Sequence, residues 1–179
     1  MRRSELEHVV RAASAIVRQD HFVVIGSQAV LGQHPNAPAE LLVSMEVDLY
    51  PKDRPEDSVV IDGAIGEGSK FHETFGYYAH GVGPETACLP DGWAARLVSV
   101  CSENTRGATA WCLEAHDLAV SKLVAGRPRD MEFVRVLVRH ALVDTAVLRE
   151  RLLQTPADAE TVKRCRQLLS AMEGEAAAH

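Results

Sequence analysis

Two carboxylates separated by one residue, Glu46 and Asp48, have the spacing in this sequence that most directly suggests chemistry. They fall within residues 42–50, where apolar and polar residues alternate as in a β-strand, so both carboxylates project from one face. The apolar residues of the opposite face are Met45, Val47 and Leu49. Like charges on one face repel, whereas Mg²⁺ prefers oxygen ligands and is commonly held by one or two carboxylates. The pair therefore predicts a divalent-metal site, with a solvated strand face as the alternative.

A Gly-Ser turn precedes this strand. Residues 22–25 are apolar and rich in β-branched side chains, which predicts a buried strand ending at Gly26 and Ser27. Glycine lets a ligand approach the backbone closely, and serine here can cap a helix whose first amides attract phosphate. An ordinary strand-to-helix turn is the alternative. We expect a short βαβ-type connection to return residues 42–50 beside this strand, so that the turn meets the carboxylates.

These two motifs, in this order, resemble the signature of the nucleotidyltransferase fold, the DNA polymerase β-like superfamily. The wider context resembles the bacterial branch related to the AbiEii toxins and their small relatives. The resemblance implies that Glu46 and Asp48 hold Mg²⁺ or Mn²⁺. It also implies that Gly26 and Ser27 contact the β and γ phosphates of a nucleoside triphosphate. The sequence departs from the family pattern by carrying Glu46 where an aspartate is usual, and by a longer interval between the motifs.

A second segment, residues 113–130, resembles the D-L-x-x-x-K-L…R-x-x-D segment of the AbiEii-like branch. The resemblance implies that Lys122 places its charge on the triphosphate and that Arg129, which follows Arg127 in a predicted loop, also binds the nucleotide. It further implies that Asp130 serves the active site or orients the lysine. Two alternatives stay open, in which Asp130 is a helix N-cap and Lys122 is a solvated surface residue. Under the nucleotidyltransferase interpretation, all three motifs line one cleft.

The superfamily uses a third acid on a neighbouring strand, as a metal ligand or general base, and this sequence offers no evident aspartate for that position. His80, on the strand predicted at residues 77–82, and Glu85 just beyond it are the positions to inspect. This gap makes a catalytically degenerate binding or interaction protein on the same fold the main alternative to an enzyme. A helical interaction protein with a coincidental acidic strand is the third hypothesis.

Composition argues against several other classes of protein. The chain has 179 residues and a formal net charge of −6, which argues against a broad, sequence-independent grip on nucleic acid. No apolar run approaches the roughly 20 residues that span a membrane, and the N-terminus lacks the apolar core of a secretory signal. The four cysteines show no C-x-x-C spacing, so neither a zinc ribbon nor a disulfide scaffold is predicted. A reducing cytoplasm is the expected compartment.

The order of predicted elements favours an α/β (α+β) fold with a small mixed sheet flanked by helices. The predicted strands are residues 22–25, 42–50, 77–82, 95–100 and 110–113. From Glu114 onward the apolar spacing is helical throughout, which predicts a helical C-terminal region. We therefore expect a nucleotidyltransferase-like core over residues 1–113 and a helical region over residues 114–179 packed on it.

The function predicted from these features is metal-dependent transfer of a nucleotidyl group from an NTP to an acceptor. Under the resemblance, the acceptor is a tRNA, a protein hydroxyl or a small molecule. The AbiEii-like context adds a role in a toxin–antitoxin pair, with an antitoxin-like protein as partner. No membrane partner is expected.

Overall fold

Five strands form one mixed sheet in the computed structural model, which describes residues 1–177. The strands are β1 (His21–Val24), β2 (Glu46–Pro51), β3 (Tyr78–Gly81), β4 (Val98–Val100) and β5 (Thr109–Cys112). Their order across the sheet is β3-β2-β1-β5-β4. The pairs β1–β5 and β2–β3 are parallel, whereas β1–β2 and β4–β5 are antiparallel. The predicted mixed sheet is confirmed.

Helices precede and interrupt the strands up to β5, and the described chain after β5 contains helices without further strands. The helices are α1 (Arg3–Val17), α2 (Val30–Gln33), α3 (Ser58–Ile65), α4 (Lys70–Phe75), α5 (Ala115–Ala125), α6 (Pro128–Arg139), α7 (Thr145–Leu153) and α8 (Ala159–Ala177). The predicted helical C-terminal region is therefore confirmed. Across residues 1–177, no helix is both long and apolar enough to cross a membrane. All four cysteines are free thiols.

The apolar periodicity of the sequence explains the central elements. In β1, Phe22, Val23 and Val24 are all buried, as expected for a short β-branched run inside a sheet. Helix α1 buries one stripe at helical spacing against the core. The apolar residues of that stripe are Leu6, Val9, Val10, Ala13 and Val17.

Strand β2 begins later than predicted, at Glu46 instead of residue 42. The amide of Ile25 donates to the carbonyl of Asp48 at 3.0 Å, and the chain then turns away at Gly26. Residues 42–45 therefore have no β1 partner to pair with. Val43 and Met45 are 77% and 55% exposed, so their apolar side chains do not mark a buried strand face. The strand predicted from residue 95 likewise starts only at Val98, because a 3-10 turn occupies Trp93–Arg96.

The chain divides into two compact units. The first comprises Met1–Thr86 and Leu97–Glu114 and contains the whole sheet. The second consists of Ala87–Arg96 together with the chain from Ala115 onward. The predicted division into domains at residues 113 and 114 stays a prediction.

A buried carboxylate holds the second unit together. Asp117, in α5, is fully buried and accepts hydrogen bonds from Arg96 at 2.9 and 3.1 Å and from Arg151 at 2.9 Å. The amide of Asp91 donates to the carbonyl of Gln154 at 2.9 Å. These contacts attach the segment Ala87–Arg96 to α5 and α7, which explains why it groups with the helices.

Candidate metal and nucleotide site

Strand β2 presents Glu46 and Asp48 on one face, as predicted. Val47 and Leu49 are fully buried on the opposite face, whereas the two carboxylate residues are only partly buried. The side chain of Asp48 is 21% exposed, so its carboxylate is partly buried but still accessible to a ligand. Two acidic side chains are thus held next to one another by the pleat of a strand whose other face is anchored in the core.

Gly26 lies directly against the Asp48 carboxylate. A β-carbon built on Gly26 would lie 1.8 Å from Oδ2 and 2.8 Å from Cβ of Asp48, so any larger residue at Gly26 would force Asp48 to shift. The backbone at Gly26 has φ −85°, which any residue adopts, so the glycine is required for space alone. The predicted neighbourhood of turn and carboxylates is therefore present within the first unit.

The connection between the two motifs differs from the expected βαβ type. Strands β1 and β2 are neighbours as predicted, but they run antiparallel. Between them the chain contains 3-10 turns and only the four-residue helix α2. So short a helix does not carry the chain back along the sheet, and a parallel crossover usually needs a longer one. Gln28, fully buried just after the turn, donates to the carbonyl of Ser44 at 3.3 Å and ties the turn to the start of β2.

Strand β3 brings two further side chains to the carboxylates. Parallel pairing places Tyr78 opposite Glu46 and His80 opposite Asp48. The Tyr78 hydroxyl donates to Oε2 of Glu46 at 3.2 Å, and Nδ1 of His80 lies 2.8 Å from Oδ1 of Asp48. Burial, and then the nearby Glu46 carboxylate, raises the pKa of Tyr78 to about 12. The phenol therefore stays protonated and donates its hydrogen bond across the neutral pH range.

The donor set of this cluster fits a divalent cation. One ligand atom each from Glu46, Asp48 and His80 can be chosen so that all three lie within 4.8 Å of one another. Carboxylate oxygens and an imidazole nitrogen are ordinary ligands of divalent metals. Glu85, the other position inspected for a third acid, lies on a 3-10 turn beyond β3 and is not part of the cluster. Within the described residues, no third carboxylate joins the pair.

Lys122 is buried in the second unit and is not a solvated helix residue. Its side chain is 11% exposed, and Nζ lies 3.1 Å from Oδ1 of Asp130 and 4.6 Å from the ring centroid of Phe133. Asp130 is not a helix N-cap either, because α6 begins at Pro128 and Arg127 occupies the cap position. The two alternatives, a solvated Lys122 and an N-capping Asp130, are therefore both wrong.

Asp130 is a buried carboxylate held ionised by two cations. It is 1% exposed and accepts hydrogen bonds from Lys122 and Arg127. Burial alone raises the pKa of Asp130, but the Arg127 hydrogen bond and the charge of Lys122 outweigh it and hold the pKa below its usual value of 3.8. Arg129, predicted to bind nucleotide, lies exposed in the first turn of α6 instead of in a loop.

The predicted site residues thus form two groups, one in each unit. Gly26, Ser27, Glu46 and Asp48 belong to the first unit, and Lys122, Arg129 and Asp130 belong to the second. Within each unit, the close contacts are Gly26 with Asp48 and Lys122 with Asp130. The single cleft expected to unite both groups stays a prediction.

Sequence reasoning missed the contact of Tyr78 with Glu46. A signal was available, because Tyr78 and His80 repeat the two-residue spacing of the carboxylates on a strand of the same sheet. Using it requires knowing that β3 pairs with β2 in this register, which is a long-range property.

Comparison with protein families gives the class of the chain, which is that of a nucleotidyltransferase. Residues 4–174 match the family described as "Nucleotidyltransferase of unknown function (DUF6036)", and the chain belongs to this family. The match extends over both compact units. No curated protein and no solved structure gives a significant match. Membership suggests an NTP substrate and a divalent metal in general terms, and it leaves the acceptor open.

Proposed function

We propose that this protein transfers a nucleotidyl group from an NTP to an acceptor, and that Glu46 and Asp48 hold the divalent metal, Mg²⁺ or Mn²⁺, on which the reaction depends. The observation that carries the proposal is the contact between Gly26 and Asp48. A β-carbon on Gly26 would lie only 1.8 Å from Oδ2 of Asp48, so the glycine leaves room for this carboxylate. The glycine lets the Asp48 carboxylate lie directly against the strand end, so that this carboxylate and that of Glu46 offer neighbouring oxygen ligands of the kind that Mg²⁺ prefers. Family membership supports the same chemistry.

In the proposed reaction, an acceptor hydroxyl oxygen attacks the α-phosphorus and the bond to the β-phosphate oxygen breaks. Pyrophosphate leaves, and the hydroxyl proton passes to a base. A bound divalent metal supplies charge neutralisation on the phosphates. Glu46 and Asp48 position the α-phosphate side of the nucleotide, and the Gly26-Ser27 turn contacts the β and γ phosphates. The family resemblance further implies that Lys122 and Arg129 add positive charge at the phosphates of the nucleotide.

The polymerase β-like fold and the AbiEii-like relationship belong to this proposal as well. They support a tRNA or a protein hydroxyl as acceptor, and an antitoxin-like protein as partner. The net charge of −6 favours an acceptor recognised through a local contact instead of a wide basic surface.

A second candidate function is a catalytically degenerate nucleotidyltransferase that binds a ligand without transferring it. The observation that favours it is the composition of the cluster, in which the third side chain within reach of Glu46 and Asp48 is His80 and not a carboxylate. Such a protein retains the strand geometry and the glycine while lacking the full carboxylate set.

Two radiolabels separate these candidates. The purified protein is incubated with cell extract, Mg²⁺ or Mn²⁺, and each NTP labelled at either the α or the γ phosphate. Nucleotidyl transfer places the α label, and not the γ label, on a macromolecule or small acceptor. The Asp48→Asn variant is expected to abolish this transfer. If neither the α nor the γ label appears on any product while the protein still binds nucleotide, the catalytically degenerate protein is supported.

A further inference from the structure

We propose that His80 is the third protein ligand of the metal at Glu46 and Asp48, and that its imidazole makes the site prefer Mn²⁺ to Mg²⁺. This inference rests on the metal site of the proposed function, but not on nucleotidyl transfer itself. Under this proposal His80, on the adjacent strand β3, supplies a nitrogen ligand in place of a third carboxylate.

The distance between His80 and Asp48 suits two ligands of one ion. Two ligand atoms that are each about 2.1 Å from a metal, at a right angle, lie about 3.0 Å apart. Nδ1 of His80 is 2.8 Å from Oδ1 of Asp48. A metal ion bound between these two atoms would therefore replace their hydrogen bond after only a small adjustment. Glu46 completes the group, since its ligand atom lies within 4.8 Å of the other two.

The backbone on both sides of His80 is fixed. Tyr78, two residues earlier, pairs with Glu46 through both the strand ladder and its hydroxyl. Gly81, the next residue, donates its amide to Asp62 of α3 at 3.2 Å. A β-carbon on Gly81 would lie 2.0 Å from the carbonyl oxygen of Ser58, so α3 packs tightly on this end of β3. The imidazole is therefore presented from a rigid strand even though half of it is exposed.

The chemistry of the donor set determines the metal preference. Mg²⁺ binds oxygen ligands and keeps several waters, so an imidazole adds little to its binding. Carboxylates suit Mn²⁺ as well, and divalent transition metals accept imidazole nitrogen more readily than Mg²⁺ does. Two carboxylates and one imidazole on a half-exposed strand face therefore favour Mn²⁺ over Mg²⁺ more than three carboxylates would.

The test measures metal binding to the full chain without nucleotide. Calorimetric titrations with Mn²⁺ and with Mg²⁺ compare wild type, His80→Asp and His80→Ala. The matched control is His21→Ala, because His21 is also an exposed strand histidine of the first unit and lies outside the cluster. Pulsed electron paramagnetic resonance of the Mn²⁺ complex reports directly whether a ¹⁴N nucleus is coordinated.

We expect nitrogen coupling in wild type and His21→Ala and its loss in both His80 variants. His80→Ala, which removes a ligand, should lower the Mn²⁺ affinity by about 10-fold or more. His80→Asp should lower the Mn²⁺-to-Mg²⁺ affinity ratio, because it restores an all-oxygen set. The absence of nitrogen coupling in wild type, or a ratio unchanged by His80→Asp, overturns the inference, as does a wild type that binds neither metal. If His80 ligates Mn²⁺ but no nucleotide is transferred, the inference stands and the proposed reaction fails.

Discussion

Oδ2 of Asp48 lies 1.8 Å from the point where a β-carbon of Gly26 would be placed. The two residues are 22 positions apart in the sequence, and antiparallel pairing of β1 and β2 brings them together. Because φ at Gly26 is −85°, an alanine there meets no backbone strain, only the Asp48 side chain, whose own β-carbon would lie 2.8 Å away. The contact therefore links one glycine to the geometry of one candidate ligand.

Gly26→Ala should displace the Asp48 carboxylate and weaken metal binding by about 10-fold or more, the effect typical of a misplaced ligand or its support. Calorimetric titration with Mn²⁺ measures it. The matched control is Gly63→Ala in α3, where a β-carbon meets nothing within 4 Å. That control should keep wild-type affinity and gain up to about 1 kcal/mol of stability, because alanine is the better helix former. Wild-type metal affinity in Gly26→Ala would show that Asp48 is not a ligand.

Asp48→Asn should remove metal binding while leaving the fold intact. Asparagine keeps an acceptor for His80 and removes one of two adjacent negative charges, so the melting temperature without metal should hold or rise slightly. Asp53→Asn is the control, since Asp53 is an exposed aspartate just after β2. A large fall in apo melting temperature for Asp48→Asn alone would identify Asp48 as a structural partner and contradict the metal site.

Lys122→Met should destabilise the protein, because the buried Asp130 keeps its charge and loses one of two cations. We expect a loss of about 2–3 kcal/mol in the free energy of unfolding, somewhat below the usual cost of breaking a buried pair because Arg127 remains. Urea denaturation measures it. Lys163→Met, at an exposed position in α8, should change stability by no more than about 0.5 kcal/mol.

A double-mutant cycle gives the decisive comparison for this pair. With Asp130→Asn already present, Lys122→Met should cost clearly less than in wild type, since no buried carboxylate is then left short of a partner. An equal cost in both backgrounds would assign the effect to packing on Phe133 instead of to the ion pair.

Acid should remove the contribution of Asp130 to stability. Its pKa in the folded protein lies below the usual value of 3.8, so the stabilisation is fully present above that value and is lost as the pH falls through the folded pKa. Wild type should therefore exceed Asp130→Asn in unfolding free energy by more at pH 6 than at pH 3. Urea denaturation at both values tests this. A difference between the two proteins that does not change with pH would contradict the assigned pKa direction.

Local patterns were sufficient to predict much of the first unit. The β-branched run before Gly26 and the alternation around Val47 identified β1 and the correct face of β2, because burial leaves a period-two signature. The same patterns could not show where β2 begins. Its pairing stops where β1 turns away at Gly26, which depends on register and not on the composition of residues 42–45.

The errors in the second unit have a different cause. A charged residue on a helix usually lies at the surface, which made a solvated Lys122 the alternative to a phosphate-binding one. In α5, however, Asp117 and Lys122 are both buried, each with a partner of opposite charge supplied by another segment. Such pairing depends on tertiary contacts that spacing along one helix does not reveal. The sequence marks His80 as a position to inspect, but its contact with Asp48 depends on the register of β3 against β2, which is likewise a tertiary property.

Under the proposed function, Glu46 and Asp48 bind a nucleotide through a metal. The most direct test is calorimetric titration of each NTP into the protein with Mn²⁺, with Mg²⁺ and with chelator, for wild type and for Glu46→Gln/Asp48→Asn. We expect chelator to weaken NTP binding to wild type by about 10-fold or more, and we expect the double variant to bind NTP weakly whether or not metal is present. Equal NTP affinity in wild type and double variant, with or without metal, would contradict it.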